Sequence, residues 1–240
     1  MIQNKKITAI ILAGGRGKRM ESEISKQYLK LLGNPILYYS LNTFENSIVD
    51  DIILVVAEGE EEYCRKEIVE HYNLHKVLRI VAGGKERYHS VYNGLCAIEQ
   101  TDIVMIHDGA RPFITADIIE RVAEQTIEYQ TCVVGVKVKD TIKVSDGKGF
   151  VIDTPDRSRL WQIQTPQCFG YADIIKAYKY IFDNNISHIT DDAMVWEAYS
   201  DIPVRLVEGS YFNIKITTKE DMIFGEAILN KISNMVNNNK

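Results

Sequence analysis

Four cations, Arg16, Lys18, Arg19 and Lys26, fall within eleven positions of the segment LAGGRGKRMESEISKQYL, in a chain of 240 residues whose formal charge is −5. Gly14, Gly15 and Gly17 stand among them, directly after an apolar run. A glycine turn after a strand opens backbone N–H groups to phosphate oxygens, and nearby cations neutralise the charge. Neither common glycine-loop template fits, however. The dinucleotide fingerprint would need glycine where Met20 stands, and the P-loop pattern would need a glycine at Leu12 and a hydroxyl at Arg19. What survives is the chemistry both templates share, a cradle for phosphate.

Two other stretches mix glycine with charge. In IHDGARPF a strand ending at Ile106 would deliver Asp108 to the carboxyl edge of a sheet, where open α/β folds bind ligands, with Arg111 on the same loop. A ligand site and a buried Asp–Arg pair both fit that spacing. GGKERYHSVYNGL again opens on paired glycines; its His89 has no carboxylate at a telling distance and reads as a solvent-facing helix residue. Lys215, in NIKITT, ends a short strand and by default snorkels. LWQIQTPQ reads as a strand terminated by Pro166. No histidine or paired-carboxylate constellation for acid–base work accompanies the cationic segment.

The elements that must position these residues follow from periodicity. Apolar β-branched runs at ITAIILA, IILVVA, VLRIVA, IVMIHD and CVVGVKV read as strands buried on both faces. Segments between them, such as PILYYSLNTFEN and ITADIIERVAEQTIEYQ, place apolar residues three and four apart, as core-facing helices do. The fold class is α/β, a mostly parallel sheet with helices over it. TKED has the form of a capping box before a helix at MIFGEAIL. One segment breaks the alternation: DTIKVSDGKGFVIDTP, residues 140–155, reads as a hairpin turning at Asp146 and Gly147. Its outward residues look polar and it is too small to hold a core; a solvent-exposed flap and an arm that packs on a partner subunit both fit, and the second is expected because a two-stranded hairpin is marginal alone.

A composition of 45% hydrophobic and 25% charged residues is that of an ordinary folded chain. Net acidity argues against bulk nucleic-acid binding. Cys64, Cys96, Cys132 and Cys168 are scattered, with no C-x-x-C pair, and read as buried free thiols in a reducing compartment. No run approaches the roughly 18 apolar residues of a membrane span, and a cytoplasmic protein is expected.

LAGGRGKRM followed by Lys26 resembles the signature of sugar-phosphate nucleotidyltransferases. GGKERYHSVYNGL, HDGARPF, VKDTIK, TPDRSRLWQIQTPQCF and NIKITTKEDM, in that order over nearly the whole chain, narrow the resemblance to the 2-C-methyl-D-erythritol 4-phosphate cytidylyltransferase family. The resemblance implies a Rossmann-like three-layer fold with a mixed, mostly parallel sheet, a single domain over 1–240, and a protruding β-arm over 138–158 that makes a homodimer. It implies a reaction of CTP with methylerythritol phosphate, releasing pyrophosphate, assisted by Mg2+ or another divalent cation at Asp108. Arg19 and Lys26 would be the catalytic cations. Leu12, Ala13, Gly14, Gly15, Gly17, Gly84, Ser90, Asp108 and Gly109 would bind the nucleotide. Arg111 and Lys215 would hold the acceptor phosphate, Thr165 would stand on a substrate-side loop, and Thr141 and Arg157, on the arm, would help form the neighbouring subunit's acceptor pocket. Lys85 stands where some members carry an acidic residue, so a base contact from that side chain is not implied. The rivals are a ribitol-5-phosphate cytidylyltransferase, with the same fold and reaction, and a nucleotide-sensing domain without catalysis.

Overall fold

The computed structural model describes residues 2–15 and 25–238, with side chains as far as Ile232. Its strands are, in chain order, β1 (Ile7–Ala13), β2 (Lys30–Leu31), β3 (Asn34–Pro35), β4 (Asp51–Val56), β5 (Val77–Ala82), β6 (Ile103–Asp108), β7 (Thr131–Lys137), β8 (Val144–Ser145), β9 (Val151–Asp153), β10 (Trp161–Gly170) and β11 (Arg205–Glu208). The helices are α1 (Ile36–Glu45), α2 (Glu61–Cys64, continued by a π-helical stretch over Arg65–Glu70), α3 (Arg87–Cys96), α4 (Ala116–Tyr129), α5 (Tyr171–Asp183), α6 (Asp192–Tyr199) and α7 (Lys219–Asn238). The five apolar runs of the sequence thus lie at or within one residue of β1, β4, β5, β6 and β7.

Seven strands form one sheet in the order β11-β7-β10-β6-β1-β4-β5. All neighbours are parallel except β10, which runs antiparallel to both β6 and β7. Along β1 the apolar residues divide by the pleat: Ile7, Ala9 and Ile11 face a core shared with α1, α2 and α4, while Ile10 faces one shared with α3, α5 and α6. This is why the strand needs no polar alternation, and it makes the molecule three-layered. The chain proceeds outward from β1 to β4 and β5, then returns to the other side of β1 with β6. Such a reversal opens a crevice at the carboxyl ends of β1 and β6, the place where open α/β sheets take ligands.

Two sequence expectations change here. β10 does not end at Pro166 but continues through it to Gly170, its register against β7 shifting between Ile163 and Gln167. A bulge absorbs the proline's missing donor, so the ladder resumes beyond it. In the arm, paired strands shrink to β8 and β9, closed by Asp146, whose Oδ1 accepts from the amides of Lys148 and Phe150. The arm is also less polar than expected, since Phe150, Val151 and Ile152 are exposed, Phe150 by 72%.

Trp161 opens β10 opposite Lys137, at the root of the arm. Trp196, by contrast, is buried against Phe169 and donates from Nε1 to the Ile202 carbonyl at 2.8 Å. The capping box forms as expected: Thr218 N donates to Asp221 Oδ2 at 2.9 Å, and Asp221 N to Thr218 Oγ1 at 3.4 Å. No described helix is long and apolar enough to cross a membrane. Among the cysteines, Cys64, Cys132 and Cys168 are buried free thiols, whereas Cys96 is exposed.

Candidate active site

At the end of β6, Asp108 meets a cation from its own loop and two from distant parts of the chain. Lys215 Nζ lies 2.8 Å from Oδ2, Arg87 Nε lies 3.4 Å from Oδ1 and Arg111 Nε lies 3.5 Å from Oδ2. Burial alone would raise the Asp108 pKa, but Arg87, Lys215 and Arg111 hold it well below the usual carboxylate range. The pocket they line, about 250 Å³, also takes in Gln164, Thr165, Gln167 and Thr190. Lys215 therefore does not snorkel; it sits outside any strand or helix, on a segment whose Ile216 N donates to the Ala110 carbonyl at 2.8 Å.

The cations are themselves held. Both terminal nitrogens of Arg87 donate to fully buried Asp192, at 2.8 and 2.7 Å, and Tyr178 OH donates to the same carboxylate at 2.5 Å. Burial opposes the charge on Arg87, yet Asp192 and Asp108 more than offset it and raise its pKa. Asp192 opens α6, where its amide and that of Ala193 donate to Gln167 Oε1, both at 2.9 Å. Arg111 Nη1 donates to the Asn213 carbonyl at 3.0 Å, but its Nε is buried with no hydrogen-bond acceptor. Burial lowers the Arg111 pKa, and that Nε is a donor suited to an arriving oxyanion.

Beneath the pocket, Thr165 Oγ1 accepts from Asp108 N at 3.1 Å and lies 3.0 Å from His107 Nδ1. The Arg111 carbonyl, 3.2 Å from His107 Nε2, can only accept, so Nε2 carries the ring proton and Nδ1 of the neutral imidazole accepts from the Thr165 hydroxyl. His107 is fully buried, and burial lowers its pKa to about 4. It is therefore a neutral brace, with both ring nitrogens occupied. Thr165, expected on a loop, lies inside β10.

The glycine side is built differently. A Cβ on Gly14 would stand 3.3 Å from the Val56 carbonyl oxygen, which also accepts from Gly83 N at 2.7 Å. Both glycine pairs thus meet at the carboxyl end of β4. Gly84 N donates to Ser90 Oγ at 3.0 Å, and a Cβ on Gly84 would fall 2.4 Å from the Cβ of His89. Gly109 N closes β6 on β1 through the Leu12 carbonyl at 2.9 Å. His89 is not solvent-facing: it is half-buried against Tyr88 and Phe182.

Lys26 lies on a turn of 3₁₀ helix, Lys26–Tyr28, and its Nζ donates to the Ile216 carbonyl at 3.2 Å. The segment bearing Lys215 therefore touches both Lys26 and Asp108. Arg16, Gly17, Lys18 and Arg19 lie outside the described residues. Thr141 and Arg157 are exposed on the arm and do not line the pocket of their own chain; Arg157 Nη1 donates to the Lys139 carbonyl at 2.6 Å. Among the described residues, no three His, Cys, Asp or Glu side chains come together as a metal cage. Ionised Asp108 nevertheless suits a hard cation that takes one carboxylate and draws its remaining oxygens from phosphates and water.

Arg87, Asp192, Gln167 and His107 were not singled out from sequence. Arg87 stands within the GGKERYHSVYNGL motif, which was a usable signal; Asp192 reads locally as no more than the first residue of an apolar helix.

A glycine-walled cleft beside a clustered, pre-partnered set of cations, at the switch point of a three-layer sheet, is suited to holding phosphate groups. The sequence profile of 2-C-methyl-D-erythritol 4-phosphate cytidylyltransferase matches residues 7–231. A relative of that name from Lachnoclostridium phytofermentans is 50% identical over 225 residues, covering 94% of this chain and 97% of its own. Another, from Clostridium botulinum strain 657, is 50% identical over 230 residues, 95% of this chain and 99% of its own. The crystal structure of 4-diphosphocytidyl-2C-methyl-D-erythritol synthase from Anaerococcus prevotii superposes with a TM-score of 0.84 at 35% identity, covering 94% of this chain and 96% of that one. The chain belongs to the 2-C-methyl-D-erythritol 4-phosphate cytidylyltransferase family and is an enzyme.

Proposed function

We infer that this enzyme joins CTP to 2-C-methyl-D-erythritol 4-phosphate, giving 4-diphosphocytidyl-2-C-methyl-D-erythritol and pyrophosphate, a step of non-mevalonate isoprenoid precursor synthesis. The observation that carries the chemistry is the convergence of Arg87, Arg111 and Lys215 on Asp108 beside the glycine turns. An oxygen of the acceptor phosphate attacks the α-phosphorus of CTP, the bond to the bridging oxygen breaks, and pyrophosphate leaves. A phosphate monoester, with a second pKa of about 6, is already largely dianionic at neutral pH, so no general base is required. The committed hydrogen bonds of neutral His107 agree with that.

The remaining difficulty is bringing an anion to a polyanion, which fixed positive charge and alignment solve. Lys26 and Arg19 stabilise charge on the α-phosphate and the leaving pyrophosphate. Leu12, Ala13, Gly14, Gly15, Gly17 and Gly109 wrap the triphosphate, and Gly84 and Ser90 face the base and ribose. Arg111, Lys215 and Thr165 take the acceptor phosphate, with Arg111 Nε, which is ion-paired to Asp108 at 3.5 Å but lacks a hydrogen-bond acceptor, as a donor to it. Asp108 and triphosphate oxygens would hold Mg2+, which when bound neutralises phosphate charge as a Lewis acid.

The exposed apolar residues Phe150, Val151 and Ile152 support the arm over 138–158 as a surface covered in a homodimer of single-domain chains. Thr141 and Arg157 then complete the partner's acceptor pocket. A cytoplasmic setting, without nucleic acid or membrane, is consistent with an acidic chain acting on small phosphates.

Pyrophosphate release with CTP, ATP, GTP and UTP, crossed with methylerythritol phosphate and ribitol 5-phosphate, tests the reading. CTP with methylerythritol phosphate is expected to turn over fastest. Preference for ribitol 5-phosphate would reassign the acceptor, and no release with either would overturn the function.

A further inference from the structure

The residues on both sides of Lys26 converge on one carboxylate. Ser25 Oγ donates to Glu60 Oε1 at 2.6 Å, while Tyr28 OH and Gln27 Nε2 donate to Oε2 at 2.9 and 3.3 Å. Glu60 is part-buried, and it stands in the turn between β4 and α2, where its own N donates to the Ala57 carbonyl at 3.0 Å and Cys64 N donates to its carbonyl at 2.9 Å. Tyr28 is buried and packs edge-on against Tyr63 at 4.9 Å between ring centroids. Burial and the neighbouring Cys64 and Glu60 raise its pKa, so the phenol remains a donor.

We propose that Glu60 is a positioning residue for transfer, fixing the turn that carries Lys26 against the end of β4. Lys26 is held at its Nζ by the Ile216 carbonyl and along its backbone by a single 3₁₀ turn. One such turn has little stability of its own. Three side-chain donors from residues 25, 27 and 28, gathered on one carboxylate, supply what the turn lacks. The same connection, residues 56–60, also meets the other side of the glycine segment, through the Val56 carbonyl that Gly14 approaches. One β4–α2 turn therefore sets the distance from the glycine cradle to the lysine. A fixed distance is what in-line transfer demands, since a misplacement of about 1 Å can cost about 100-fold in rate.

The inference rests on Lys26 acting in transfer, and the experiment separates the two. In the full-length enzyme, kcat and KM for both substrates are measured for Lys26→Ala, Glu60→Ala, Glu60→Gln and the Lys26→Ala/Glu60→Ala double variant, alongside amide exchange over residues 25–29. Glu60→Ala is expected to lower kcat by about tenfold or more, leave the KM for the polyol phosphate within about twofold, and speed exchange of the Tyr28 and Leu29 amides. Glu60→Gln, which keeps one acceptor oxygen and the side-chain volume, recovers part of the loss and replaces the alanine variant if that one is unstable. The double variant is expected to be no slower than Lys26→Ala alone, as for two groups acting as one unit.

Wild-type kcat for Glu60→Ala beside a crippled Lys26→Ala overturns the positioning role, as does a double variant whose losses multiply. Unchanged exchange over 25–29 overturns the anchor itself. Wild-type turnover in Lys26→Ala instead sinks the transfer role of the lysine, whatever Glu60 does to exchange.

Discussion

The two halves of the cleft are built by opposite means. On the β6 side, charged side chains are fixed by other charged side chains: Asp108 is held by three cations, and Arg87 in turn by buried Asp192. On the β1 and β5 side, the walls are glycines pressed against the Val56 carbonyl, and the backbone itself forms the surface. A charge-built wall should fail through stability and acceptor binding. A glycine-built wall should fail through shape, and so through the nucleotide.

The largest break is expected at Asp192. Asp192→Ala leaves the Arg87 guanidinium buried without its bidentate partner, at a cost of about 3–5 kcal/mol of stability by chemical denaturation. An undiminished unfolding free energy would show that Arg87 finds water instead. Next comes Lys26→Ala, where turnover should fall about 100-fold or more while thermal stability and CTP affinity stay near wild type; a matching loss of CTP affinity would place Lys26 in ground-state binding.

His107 tests the brace beneath the charged wall. Its folded pKa of about 4 lies below the ordinary 6.5, so between those values the unfolded chain binds the extra proton and stability rises with pH. Acidification from pH 6.5 to 4 should therefore remove at most about 3 kcal/mol, lost progressively as pH falls through that window. In His107→Gln the limb should flatten relative to the variant's own stability at pH 7, and an unaltered acid limb would assign it to other groups. The smallest effect belongs to the glycine wall. Gly84→Ala must push the start of α3 aside at His89, with a cost of about 1–3 kcal/mol and a rise in the KM for CTP larger than that for the acceptor. Equal rises in both would erase the division between the walls.

The same division governs what could be read from sequence. The strands were legible because burial on both faces leaves an uninterrupted apolar run, and the glycine turns because conformational need is written in one residue type. The charged wall was not, since its parts stand at 87, 108, 111, 192 and 215 and meet only through the sheet order. Asp108 and Arg111 surfaced together because they share a loop; Arg87 stands inside the GGKERYHSVYNGL motif with nothing there to show its carboxylate partners, and Asp192 has no local mark. Lys215 was read from spacing alone as a snorkelling surface cation, because nothing within its segment reveals Asp108. The resemblance to a family, rather than periodicity, supplied its proposed role. Pro166 misled for a simpler reason: a bulge that lets a strand pass a proline depends on the neighbouring strand.

The placement of the two tryptophans gives the enzyme a pair of independent optical reporters. Trp196, sealed against Phe169 with its indole proton on a carbonyl, should emit to the blue and change only when the α6 side of the core opens. Trp161, half-buried opposite Lys137 where β10 leaves the arm, would sense a second subunit if one docks there as proposed. Replacing Trp196 with Phe would leave a single emitter at the root of the arm. Dilution could then be followed by fluorescence to read assembly apart from unfolding.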